Sequence, residues 1–148
     1  MKELKAPLNI FSGAMGLAGA LTNPTELARR KGCIDKAYSI RFKGREWVDV
    51  ETAYHVLAQL DPTEDGRDRL MLELIATKFR QYPDLLSAVE AHGGRDWLMT
   101  CTHFTQARSE RAQSWEGAGL ESRFIRNLVA GYDMVHAPAV ELGQQTLF

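Results

Sequence analysis

Phe42-Lys-Gly-Arg-Glu-Trp47-Val-Asp-Val-Glu51-Thr-Ala-Tyr-His55-Val-Leu57 is the stretch that decides the fold. Upstream of it, Ala37 to Phe42 alternates in AYSIRF, the chain turns at Lys43-Gly44, and REW resumes the alternation; this is a β-hairpin pattern. Asp49 stands where a helix N-cap belongs. Val50, Ala53, Tyr54 and Leu57 then fall at helical spacing for a buried face, in a helix running to about Leu60 and stopped by Asp61-Pro62.

Working outward, Leu8 to Gly13 reads as a short apolar strand. A loop rich in Gly, Ala and Asn follows it to Asn23-Pro24, and a short helix is expected before Arg29. A helix from Glu64 to Gln81 places Leu70, Leu74, Ile75 and Phe79 in the core. Another opens on Pro83 and ends at His92 before Gly93-Gly94. A last helix is expected from about Leu120 to Val135, with Phe124, Leu128 and Tyr132 on one stripe. The reading is a single α+β domain over residues 1–137, predominantly helical with a small hairpin or sheet, followed by a flexible tail at 138–148.

The 148 residues suffice for one core, and 45% hydrophobic with 25% charged residues is a globular composition. No apolar run reaches the roughly 18 residues that span a bilayer, and MKELKAPLNI lacks the apolar centre of a secretion signal, so a cytoplasmic location is expected. Cys33 and Cys101 lack paired spacing and read as reduced thiols. His55, His92, His103 and His136 show no zinc spacing, so no metal is implied. A net charge of −1 disfavours a nucleic-acid coat protein but allows a small anionic ligand in a local basic pocket.

On the helix after the hairpin, Glu51, Tyr54, His55 and Ala58 share a face. Glu51 lies in the first turn, where the helix dipole favours an ionised carboxylate. It suits a general base or a stabiliser of an oxocarbenium-like transition state, and equally a solvated residue that only helps capping.

Trp47, Glu51, Tyr54 and His55 together resemble the signature of the NADAR (YbiA-like) superfamily. Other pieces agree in order from about residue 9 to 135. Phe11-Ser12-Gly13 is similar to the family's opening strand, and Leu21-Thr22-Asn23 to its LSNF motif. Lys78-Phe79 with Tyr82-Pro83-Asp84-Leu85 is similar to a helix pair, Trp115-Glu116-Gly117 to its WG element, and Asn127-Leu128 to a GxNxLG helix. The resemblance implies a YbiA-like fold and hydrolysis of a C–N glycosidic bond in a nucleotide-derived or ADP-ribosylated substrate, possible bases including guanine, without metal or redox cofactor. It makes Glu51 the catalytic carboxylate. Trp47, Tyr54 and Trp115 would be walls, Asn23 and Asn127 orienting amides, and Ser12, His55 and Gly117 further binding positions.

Two departures bear on mechanism. The family's lysine seven positions after the glutamate is Ala58 here, which closes a Schiff-base route at that position. The acidic residue expected before the WG element is missing unless Glu110 stands in. Water-based chemistry, substitution by a residue such as Lys78, or a module that binds ADP-ribose-like ligands without cutting them all remain open.

Arg29-Arg30-Lys31 and Arg41, Lys43 and Arg45 are basic clusters that could meet phosphate or simply face solvent. The ending Gln144-Gln145-Thr146-Leu147-Phe148 resembles the peptide by which bacterial replication and repair proteins dock on the sliding clamp. Gln144, Leu147 and Phe148 are its anchors, and such docking would make this a DNA-associated interaction protein.

Overall fold

The computed structural model describes residues 3–137; the expected tail, with Gln144, Leu147 and Phe148, lies outside them. Within them the chain is α+β and mostly helical, with two small antiparallel sheets. In order the elements are α1 (Leu17–Leu21), α2 (Thr25–Arg30), β1 (Ile40–Phe42), β2 (Arg45–Trp47), α3 (Val50–Leu57) and α4 (Glu64–Gln81). After these come α5 (Pro83–His92), α6 (Gly94–Leu98), β3 (Thr102–His103), α7 (Glu110–Gln113), β4 (Gly117–Ala118) and α8 (Arg123–Val135). No helix among the described residues is long and apolar enough to cross a membrane.

The hairpin forms as its alternation predicts, with Ile40 paired to Trp47 and both buried, and with Lys43 and Gly44 at positive φ in the turn. Two residues later the Asp49 carboxylate is almost wholly buried. Its Oδ1 accepts the Thr52 amide at 2.8 Å, capping α3, and its Oδ2 accepts the Glu26 amide at 3.1 Å, tying α3 to α2. The start of α3, directly after the hairpin, is therefore fixed by local chemistry and by its tie to α2.

α4 and α8 pack together as the centre of the core, α4 contributing Leu74, Ile75 and Phe79 and α8 contributing Phe124, Leu128 and Tyr132. They approach closely because position 131 carries no side chain. A Cβ there would lie 2.7 Å from Ile75 Cγ2 and 3.0 Å from the Leu72 carbonyl. Gly131→Ala is expected to cost about 1–3 kcal/mol, since the packed helices must separate. Chemical denaturation measures this; an unchanged midpoint would mean that the crossing yields freely.

Three expectations need correction. Leu8 to Gly13 is not a strand but a single parallel bridge from Asn9 to Thr102. The Asn9 side chain replaces further backbone pairing: Oδ1 accepts the Phe104 amide and Nδ2 donates to the Phe104 carbonyl, both at 2.9 Å. The loop before Asn23 contains α1, because Gly19 lets the helix press on the Ala14 backbone instead of breaking it. The last helix starts at Arg123, not near Leu120. Gly119–Glu121 forms a 3-10 turn, and the Ser122 hydroxyl caps α8 by accepting the Ile125 amide at 3.1 Å.

Candidate active site

A cavity of about 650 Å³ lies between α3, the start of α4 and the segment from His103 to Phe124. Ser12, Asn23, Glu51, Tyr54, His55 and Trp115, six of the positions singled out from sequence, line it. Its size is in the range that takes a whole small molecule.

Glu51 arrives there because Asp49 starts α3 two residues earlier, which places Glu51 in the first turn. Its amide also reaches the Asn23 carbonyl at 3.3 Å. Glu51 Oε1 lies 3.1 Å from His55 Nε2, one helical turn on. Burial pushes the Glu51 carboxyl above the usual glutamate range, with the Asp49 carboxylate adding to the rise and His55 opposing it. Such a group is a better proton acceptor than an ordinary glutamate.

On the same cavity, Trp115 packs edge-on against Tyr54 at 5.7 Å and 77°, so two aromatic rings form one wall. The Trp115 carbonyl accepts the Ser122 hydroxyl at 2.8 Å and the Phe124 amide at 3.2 Å, which pins the residue to the start of α8. Arg123 stacks on its ring at 4.2 Å and bonds Asp68 Oδ1 at 2.7 Å.

Three expected residues do not line the cavity. Asn127 donates to Asp68 Oδ1 at 3.0 Å and to the Arg123 carbonyl at 3.1 Å, supporting the guanidinium that covers Trp115. Trp47 is buried in the core, its indole donating to the Phe42 carbonyl at 3.2 Å with Arg45 stacked on it. Gly117 pairs with His103 at a φ of 150°, where a Cβ would press on the Ser122 amide at 2.9 Å.

Ala58 lines the cavity as its face of α3 predicts. Lys78 and Glu110, the suggested substitutes, do not. The Lys78 ammonium instead donates to the Ala20 and Thr22 carbonyls, at 2.5 and 2.9 Å, beneath the Asn23 segment. Neither basic cluster contributes a lining residue: Arg29 pairs with Glu26, and Lys31 reaches the cavity only through the Ser12 hydroxyl at 2.8 Å.

No family model, curated protein or solved structure matches the chain.

Among the lining residues that sequence reading missed are four ionisable ones, Arg67, Arg111, Arg123 and His103. His103 Nδ1 donates to the Ile10 carbonyl at 2.6 Å, and burial lowers its pKa, so the neutral ring presents an unprotonated Nε2. Its position between Asn9-Ile10 and β4 is a product of tertiary pairing, for which the local sequence carries no signal. Among the described residues no group of three His, Cys, Asp or Glu side chains is arranged to hold a metal ion.

Proposed function

We propose that this protein is a divergent NADAR (YbiA-like) N-glycosidase that hydrolyses the C–N glycosidic bond of a nucleotide-derived or ADP-ribosylated substrate. The observation that carries this reading is the placement of the Glu51 carboxylate on the same cavity as the Trp115–Tyr54 wall. A base stacked on the aromatic wall leaves its ribose toward Glu51. Glu51 takes a proton from water as the water oxygen bonds to the anomeric carbon. The C–N bond breaks with its electron pair on the departing nitrogen, which takes a proton back. Ala58 offers no amine, so water is the nucleophile.

The test is mass-spectrometric detection of the freed base and sugar after incubation with ADP-ribosylated guanine nucleosides, ADP-ribosylated DNA, NAD and riboflavin-pathway intermediates, with Glu51→Gln as control. Cleavage by the wild type alone supports the reading. Tight binding without cleavage would support the second reading, a binding module, which Ala58 at the cavity wall favours.

The pH profile gives an independent check. A general base must be ionised, so kcat/KM is present above the Glu51 pKa and lost as pH falls through it. The acid limb is expected above the usual glutamate range. His55→Ala should move it higher still, because the electrostatic influence of His55 that favours the carboxylate is gone. A limb in the ordinary range, unmoved by His55→Ala, would assign the proton transfer to another group.

A further inference from the structure

Acid and base are unevenly distributed around the cavity. Three guanidinium groups line it, Arg67, Arg111 and Arg123, against the single carboxylate of Glu51, in a chain whose net charge is −1. Arg123 is neutralised by Asp68 at 2.7 Å and Glu51 has His55 at 3.1 Å. Arg67 and Arg111 have no acidic partner within 4.0 Å among the described residues.

The two come from different elements. Arg67 lies near the start of α4, and its field reaches the Tyr54 hydroxyl on the aromatic wall. Arg111 is carried by α7, a single turn that buries none of its residues and is held over the cavity by neighbouring contacts. Thr105 donates its amide and hydroxyl to Glu116 Oε2, and the Ser109 hydroxyl caps the turn by accepting the Ala112 amide at 3.1 Å. A guanidinium presents paired donors suited to two oxygens of a phosphate ester.

We propose that Arg67 and Arg111 form the anion subsite of this cavity, which takes a ligand with an aromatic ring on the Trp115–Tyr54 wall and a phosphate ester between the two arginines. The inference rests on the cavity of the glycosidase reading, but concerns binding and not cleavage.

The test is calorimetric titration of the full chain with adenosine monophosphate, adenosine and inorganic phosphate. Adenosine monophosphate should bind at least about tenfold more tightly than adenosine, an advantage that shrinks with added salt. Arg67→Gln and Arg111→Gln should each weaken the nucleotide by about tenfold and leave adenosine unchanged. Both positions are outside the core, so the variants should keep the wild-type melting temperature. Failure of adenosine monophosphate to bind, equal affinity for nucleotide and nucleoside, or a double variant that still binds the nucleotide as the wild type does would overturn the proposal. Binding of inorganic phosphate alone, insensitive to both variants, would do the same. Nucleotide bound by the arginines without cleavage of any substrate sinks only the glycosidase reading; cleavage unaffected by the double variant sinks only the anion subsite.

Discussion

Glu51→Gln is expected to lower single-turnover cleavage by about 10²- to 10⁴-fold, the usual contribution of a positioned general base. The substitution preserves volume and keeps a side-chain oxygen near His55, so α3 and the cavity should keep their shape. What it removes is the ability to take a proton from water. Ligand affinity should change little, because the aromatic wall and the arginines are untouched. A variant that turns over within a fewfold of the wild type would remove Glu51 from the chemistry and leave it as a first-turn carboxylate beside His55.

Lys78→Ala is expected to have the largest effect on stability, about 3–5 kcal/mol. The side chain is 4% exposed, and its ammonium supplies donors to two carbonyls at the end of α1. Truncation leaves both without that donor and opens a void beside Leu21. The loss should also reach the site, because the freed segment leads into Asn23, whose carbonyl receives the Glu51 amide. Urea denaturation of the two proteins measures the first effect.

The pH dependence of that difference is the sharper test. Burial lowers the Lys78 pKa to about 7, with the Asp49 carboxylate opposing the shift, whereas in the unfolded chain it returns to about 10.4. Between these values the unfolded chain binds more protons than the folded one, so stability rises with pH through that window, by at most about 1.4 kcal/mol per pH unit. Below the window the penalty for burying the charge is fully present. Lys78→Ala lacks this component, and parallel stability curves for variant and wild type between neutral pH and pH 10 would show that the amine is hydrated in the native state.

The sequence was most legible where local chemistry decides structure. Asp49 as a cap, Lys43-Gly44 as a turn, and Pro83 with Gly93 as helix punctuation each act within a few residues, and the elements they bound lie where the pattern places them. The shared face of Glu51, Tyr54, His55 and Ala58 is legible for the same reason, since helical spacing alone puts them together. The other half of the cavity was not. Arg67, Arg111 and Arg123 look like any surface arginines until α4 and α8 bring two of them to the Trp115 ring and to Tyr54. His103 gains its role from a strand pairing two residues long. Trp47 shows the converse failure: hairpin register turns it into the core, so a residue type suited to stacking serves as packing.

The α4–α8 crossing at Gly131 also dictates when the cavity can exist. Its walls are contributed by chain segments as distant as Ser12 and Phe124, and the supports for Trp115 lie on α8. While the chain is being synthesised, N-terminal segments emerge first, at about 5–20 residues per second. A nascent chain that has released Glu51 and Tyr54 still lacks Trp115, Arg123 and the helix that positions them. The cavity is therefore complete only after the start of α8 has left the ribosome, and nothing held in it can template the earlier stages of folding.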